Sequence, residues 1–239
     1  MPRTVAVFGA GPGFGLSFAR RFGREGFRVA LVARTADRLN SLVSELEADG
    51  IEAAAFPADL REHDRLPSIV DSITDRLGPI DVLEYSPGGM GTAEHVVPTL
   101  DVDVPALAWP LDLLLHAPLR LVRAVLPGML ARGDGGILIT QAASAIQPLD
   151  FAGNFGMVMA ATRNYVHNLH TVLADKGIYA GTITIGAVIG RSDVEQALRA
   201  NPELAKFETE ILDPDELAGT YWDMYTKRDR FEEVRGTLG

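Results

Sequence analysis

The chain has no cysteine among its 239 residues, which excludes disulfides, thiolate nucleophiles and cysteine-ligated metal centres. It has only three lysines, Lys176, Lys206 and Lys227, and acidic residues outnumber basic ones 32 to 22. The net charge of −10 repels a phosphate backbone over most of the surface, so no nucleic-acid partner is expected. A local basic pocket for one phosphate is still compatible with that charge. No apolar run reaches the roughly 18 residues of a membrane span. Met1-Pro2-Arg3 leads into a glycine-broken stretch too short for a secretory leader. A cytoplasmic protein with no membrane partner is expected. Repeats, low-complexity tracts and charged tails are also missing. No metal site is expected, and nothing in length or composition forces residues 1–239 into more than one domain.

What the chain does have is alternation. Short apolar runs suited to strands fall at 4–8, 28–33, 52–56, 81–85, 136–140 and 179–185. Helical stretches lie between them at 14–25, 35–49, 62–77, 111–131 and 155–176. Strands separated by helices need crossover connections, which make a parallel sheet. Both alternating positions of each strand are apolar, as expected when helices cover both faces. The pattern predicts a three-layer, doubly wound α/β domain. Its last part is less regular, with helices near 193–200 and 214–226 and a short strand at 231–234.

The first strand runs into GAGPGFG, with glycines at 9, 11, 13 and 15, and then into a helix. The G-x-G-x-x-G spacing fails here, because Phe14 and Leu16 stand where its third glycine would be. Gly9, Gly13 and Gly15 make G-x-x-x-G-x-G instead. Glycine has the same use in either spacing: a tight turn, and close approach of backbone to a pyrophosphate at a helix N-terminus. Many glycine turns are only turns; the position between strand and helix is what points to a dinucleotide. The second strand ends Val32-Ala33-Arg34, with no carboxylate for a ribose 2′-hydroxyl and an arginine suited to a 2′-phosphate. NADP(H) is therefore favoured over NAD(H), the alternative being that Arg34 is a surface residue opening the next helix. Asp59, in FPADL, suits either an adenine contact or an ordinary helix cap.

Together these segments resemble the short-chain dehydrogenase/reductase family in its single-domain form, over nearly the whole chain. GAGPGFG, including Phe14, is similar to the family's glycine motif, and AFPADL, with Asp59 and Leu60, to its adenine-side motif. DVLEYSPG, ending at Gly88, resembles the strand that usually ends Asn-Asn-Ala-Gly. TITIGAV resembles the segment near the nicotinamide, with Gly186 kept and Ile185 in place of proline. LRLVRAVLPGML and GGILIT resemble the long fifth helix and its following strand. The resemblance implies a Rossmann-like sheet of about seven strands and hydride transfer by an asparagine-serine-tyrosine-lysine tetrad.

Carried over position by position, that tetrad falls on Leu114, Ala142, Phe155 and Met159. Positions 142 and 155 lie thirteen residues apart, in keeping with the family's serine-to-tyrosine gap, and 155 and 159 stack on one helix face. None of the four side chains transfers a proton. No tyrosine in the chain is followed four residues later by lysine, so a shifted register does not restore the pair. Ser144 would supply a hydroxyl only if its loop were re-registered. Tyr85 and Ser86 replace the two asparagines, and Gly190 stands where the family often has threonine. Tyr85, Ser86, Ser144 and Gln141 are the polar groups expected near the pocket, the alternative for Tyr85 being a packed aromatic with a tied hydroxyl; His116, about 200° round a helix from Leu114, is expected to face elsewhere.

Three functions fit these residues. One is an NADP(H)-binding oxidoreductase whose standard activity is absent or strongly impaired. Another is a binding protein that senses the cofactor or regulates a partner. The third is non-redox catalysis on a small molecule, such as isomerisation, cyclisation or dehydration, in a pocket lined by Phe155, Met159 and Leu114 under a lid at 190–212. The resemblance also implies a homodimer or homotetramer formed through helices 111–131 and 155–176.

Overall fold

The computed structural model describes residues 2–88, 93–200 and 210–236. Seven parallel strands form one sheet: β1 (Thr4–Phe8), β2 (Arg28–Ala33), β3 (Ala53–Pro57), β4 (Ile80–Tyr85), β5 (Gly135–Ile139), β7 (Ile178–Ile185) and β10 (Glu232–Arg235), with the short β6 (Gln141–Ala142) pairing β7 beyond the end of β5. Their order across the sheet is β10-β7-β5-β4-β1-β2-β3. β1 and β5 are buried at every position, the consequence of helices on both faces.

The helices are α1 (Phe14–Arg24), α2 (Ala36–Ala48), α3 (Leu66–Leu77), α4 (Ala108–Leu111), α5 (Ala117–Arg132), α6 (Gly153–Leu173), α7 (Asp193–Ala200) and α8 (Pro214–Lys227). On one face, Leu66, Leu121, Val125, Phe155 and Val166 cover the sheet. On the other, α1 and α8 join through an aromatic cluster in which Phe18 stacks on Phe22 at 4.3 Å and Tyr221 meets Phe18 edge-on at 5.8 Å. The predicted lid at 190–212 contains α7 and β9 (Ile211–Leu212), which pairs with β8 (Val188–Ile189) just before it. Residues 201–209 of that lid lie outside the described residues.

The chain expected to be one helix over 111–131 is interrupted. A π turn occupies Asp112–His116 between α4 and α5. Pro118 explains it, because proline has no N–H to offer the carbonyls four or five residues back, those of Leu114 and Leu113. Side chains from elsewhere fill those places: the Tyr85 hydroxyl donates to the Leu113 carbonyl, and Thr162 Oγ1 donates to that of Leu114 at 2.7 Å. His63 Nε2 donates to the neighbouring Asp112 carbonyl at 2.9 Å. The helical stretch Pro105–Arg132 is long and apolar enough to span a membrane by length and composition, with mean hydropathy 1.4. Here Leu113, Leu114, Leu121, Val122, Val125 and Met129 are buried against the sheet.

Candidate active site at the switch point of the sheet

Strand order reverses between β1 and β4, since the chain builds outward through β2 and β3 before crossing back. A doubly wound sheet opens a crevice at such a point, beyond the carboxyl ends of the strands. Gly9 follows β1 there, with φ +96°, and a Cβ on it would lie 2.5 Å from the Pro87 backbone that follows β4. Only glycine fits. Its N–H and that of Ala10 both donate to the Val32 carbonyl, at 2.9 and 3.0 Å, which ties the turn to β2. Gly15 is closed differently: a Cβ would lie 3.0 Å from the Ala10 Cα.

Helix α1 starts at Phe14 with no capping side chain and no acidic residue in its first turn. The first-turn amides have no intrahelical acceptors, and the positive end of the helix dipole is unopposed. Two arginines stand near. Arg34 is exposed at the end of β2, and an Arg38 guanidinium nitrogen lies 3.7 Å from where a Gly11 Cβ would be. Asp59 follows β3 and accepts from the Arg61 backbone at 2.9 Å and the Arg61 side chain at 3.0 Å. Partial burial opposes ionisation of Asp59. The Arg61 hydrogen bonds outweigh it, Arg34 adds a smaller attraction, and the carboxyl is held below its ordinary range. Leu60 is buried in the core.

A strap crosses this loop. Gly13 is confined by it: a Cβ there would lie 3.0 Å from the Gly190 carbonyl oxygen and 3.1 Å from the Ser192 nitrogen. Arg191, at φ +61°, pairs with Asp213 at 3.0 Å and Asp215 at 2.8 Å, and reaches Ser17 Oγ at 3.3 Å. Arg38 pairs with both carboxylate oxygens of Asp193 at 2.7 Å. Neither arginine stood out in the sequence, because their partners lie far along the chain. Gly186 closes β7 with its N–H on the Arg235 carbonyl at 2.8 Å, and Gly88 is exposed.

At the other end of the crevice stand the tetrad positions. Leu114 lies in the π turn and Phe155 in the first turns of α6; both belong to the same core, at 5% and 1% exposure. The Phe155 ring sits 5.7 Å from that of Trp109. Met159 is half-buried against that core, and Ala142 is half-buried in β6. Ser144 is buried, and its carbonyl oxygen lies 3.3 Å from where a Cβ on Gly156 would be. Tyr85 is buried with its hydroxyl tied to the π turn, and burial pushes its phenol well above the ordinary value. His116 is exposed and bonded to Asp112, away from the core that holds Leu114. Asn154, which sequence reasoning passed over, is fully buried; it donates to the carbonyls of His95 and Ala106 and accepts from the Val97 N–H, holding those segments to the start of α6.

Among the described residues, three buried side-chain oxygens near the carboxyl ends of β4 and β5 have no hydrogen-bond partner: Glu84 Oε2, Ser86 Oγ and Gln141 Oε1. Glu84 is enclosed within the sheet, and burial pushes its carboxyl up to about 8 against the opposing pull of the Ser86 and Thr140 hydroxyls. Of the two, Thr140 makes a hydrogen bond, long at 3.4 Å, to Oε1. Thr140 also meets the Tyr221 hydroxyl at 3.1 Å, and that hydroxyl accepts from the Ile183 N–H at 3.0 Å.

Residues 3–203 match the sequence family described as short chain dehydrogenase. A Streptomyces coelicolor protein provisionally assigned as a ketoacyl reductase is 32% identical over 190 residues, covering 77% of this chain and 70% of that protein. The chain spans less of two other curated relatives, 60% and 46% of their lengths. Among solved structures, an actinorhodin polyketide ketoreductase variant with NADPH superposes with a TM-score of 0.86 at 24% identity, covering all of this chain and 97% of the other. A Pseudomonas aeruginosa short chain oxidoreductase described as containing an atypical catalytic center superposes with a TM-score of 0.84 at 20% identity, over 99% of this chain and 96% of the other.

Proposed function

The chain belongs to the short chain dehydrogenase family, and from that premise we propose that it binds NADP(H) yet lacks the family's usual proton-transfer chemistry. The observation that carries the reading is the occupancy of the tetrad positions by Leu114, Ala142, Phe155 and Met159, two of them packed into the core. A bound NADPH supplies a hydride from its nicotinamide. In the chain itself, the amides of Phe14 and Gly15 would receive the pyrophosphate, Arg34 the 2′-phosphate, and Asp59 the adenine side. The unopposed helix terminus and the lack of a carboxylate at the end of β2 fit that assignment. Gly9, Gly13, Gly88 and Gly186 would border the same cleft.

The protein then acts either as a weak oxidoreductase, with water or substrate providing the proton, or as a cofactor-binding regulator. Burial of Leu114 and Phe155 disfavours a non-redox reaction chamber lined by them. Assembly through α5 and α6 as a homodimer or homotetramer is part of the same proposal, supported by Leu130, Met157 and Val172, each about half exposed on those helices. The test pairs calorimetric titration with NADPH and NADH and an assay at the NADPH absorbance band over a panel of aldehydes and quinones. NADPH should bind at least about tenfold tighter than NADH, with turnover slow or absent. Arg34→Ala should erase the preference, a loss of about 10–100-fold for charge-assisted hydrogen bonds. Equal affinity for the two cofactors, or rapid turnover, would sink the reading.

A further inference from the structure

We propose that His63, Asp112 and His116 form a binding site for one transition-metal dication of the zinc type, outside the cofactor cleft. One ring nitrogen from each histidine and one carboxylate oxygen of Asp112 lie within 4.8 Å of one another. Bonds of about 2.0–2.2 Å to a tetrahedral ion place donors about 3.4 Å apart; His116 Nδ1 and Asp112 Oδ1 are 3.1 Å apart. Two imidazoles on such an ion have ring centroids about 5 Å apart. The two rings here are edge to face, 5.7 Å apart. Closing the site needs side-chain shifts, with no refolding.

The support behind the donors is already built. His63 Nε2 donates to the Asp112 carbonyl, so the ring is held against the residue that contributes the carboxylate. The π turn brings Asp112 and His116 to one side, and Pro118 maintains that turn. Arginines nearby do not cancel the Asp112 charge by direct pairing: Arg61 pairs with Asp59, Arg65 with Glu62 and Arg120 with Asp64. His63 also borders a shallow cleft of about 360 Å³, and His116 is exposed, so an ion has access and a fourth position for water. Three protein ligands of nitrogen and oxygen type, with one position open, suit zinc, cobalt(II) or nickel(II) rather than magnesium or calcium. The ligands come from segments 49 residues apart, which is why no spacing motif announces them. A bound ion would clamp the segment after β3, which carries Asp59, to the turn that carries Leu114.

The experiment uses tag-free full-length chain, stripped with chelator and titrated with Zn²⁺ by calorimetry and with Co²⁺ by visible absorption. One ion per chain and a four-coordinate cobalt spectrum are expected. His63→Ala and His116→Ala should each weaken binding by more than about 100-fold, beyond the effect of losing an outer-shell contact. Asp112→Asn keeps the carbonyl that holds His63 and should also weaken binding, whereas His167→Ala on α6 should not. No saturable binding, or binding that survives His63→Ala unchanged, overturns the proposal and leaves Asp112 and His116 an ordinary helix pair.

Discussion

At the end of the crevice bounded by β1, β2 and β3, the main chain would supply the binding groups: a glycine turn at φ +96° and a helix start with neither a capping side chain nor an acidic residue in its first turn. At the end beneath β4, β5 and α6, side chains would have to supply the chemistry, and the positions hold leucine, alanine, phenylalanine and methionine. The two ends face different constraints. The glycine turn is part of how the strands meet, since Gly9 and Pro87 touch, so losing it would damage the fold. Phe155 and Met159 need only be apolar enough to pack on α6. A fold of this kind keeps a phosphate cradle almost automatically, and keeps a proton-transfer group only where function demands it.

The most direct way to break this comparison is to install proton-transfer groups at those positions. The combined substitution Ala142→Ser, Phe155→Tyr and Met159→Lys should raise NADPH-dependent carbonyl reduction by about 10²–10⁴-fold, the worth of a positioned acid/base. Single-turnover absorbance measurements on a reactive aldehyde would show it. A triple variant as inert as the parent would mean that the two ends differ in pocket shape as well as in side chains.

A smaller effect is expected at the other end. Gly9→Val forces a branched side chain into a left-handed backbone and onto Pro87 at 2.5 Å. Strain of about 1–3 kcal/mol together with the contact should lower Tm by about 5–10 °C and abolish NADPH binding. Met159→Leu, read in the same calorimetric titration, should leave affinity within about twofold. If Gly9→Val kept both stability and binding, the claim that the cradle is inseparable from the fold would be wrong.

The strands were legible because burial on both faces leaves a plain apolar signature: Thr4–Phe8 and Arg28–Ala33 fall where the sequence places them, and α7 does so at 193–200. The expected single helix at 111–131 was not the whole truth. Pro118 was a visible signal for a break, but the groups that answer it, Tyr85 and Thr162, lie 28 and 48 residues from the carbonyls they serve. Arg34 could be read as a phosphate ligand because it ends a strand. Arg38 and Arg191 could not, since their meaning depends on Asp193, Asp213 and Asp215, which only the fold brings to them. Glu84 was half legible: a carboxylate inside DVLEY, in a strand covered on both faces, has nowhere to go but the interior.

Glu84 gives the comparison its finest test, because it lies buried in β4 near the end of the crevice that holds Leu114 and Phe155. Its folded carboxyl, near 8, is above the ordinary value of 4.5, so the native state holds a proton that the unfolded chain releases. Between about pH 4.5 and 8 the unfolded state therefore binds fewer protons, and stability falls as pH rises, by about 1.4 kcal/mol per pH unit at most. Below that window the group is neutral in both states and contributes no slope; above it the loss is complete. Glu84→Gln removes the ionisation while keeping the shape, and its urea midpoint should match the parent near pH 4.5 and exceed it increasingly toward pH 8. Should the two curves run parallel across the whole range, Glu84 would ionise in the native state as it does in the unfolded chain, and the interior near this end of the crevice would be open to solvent.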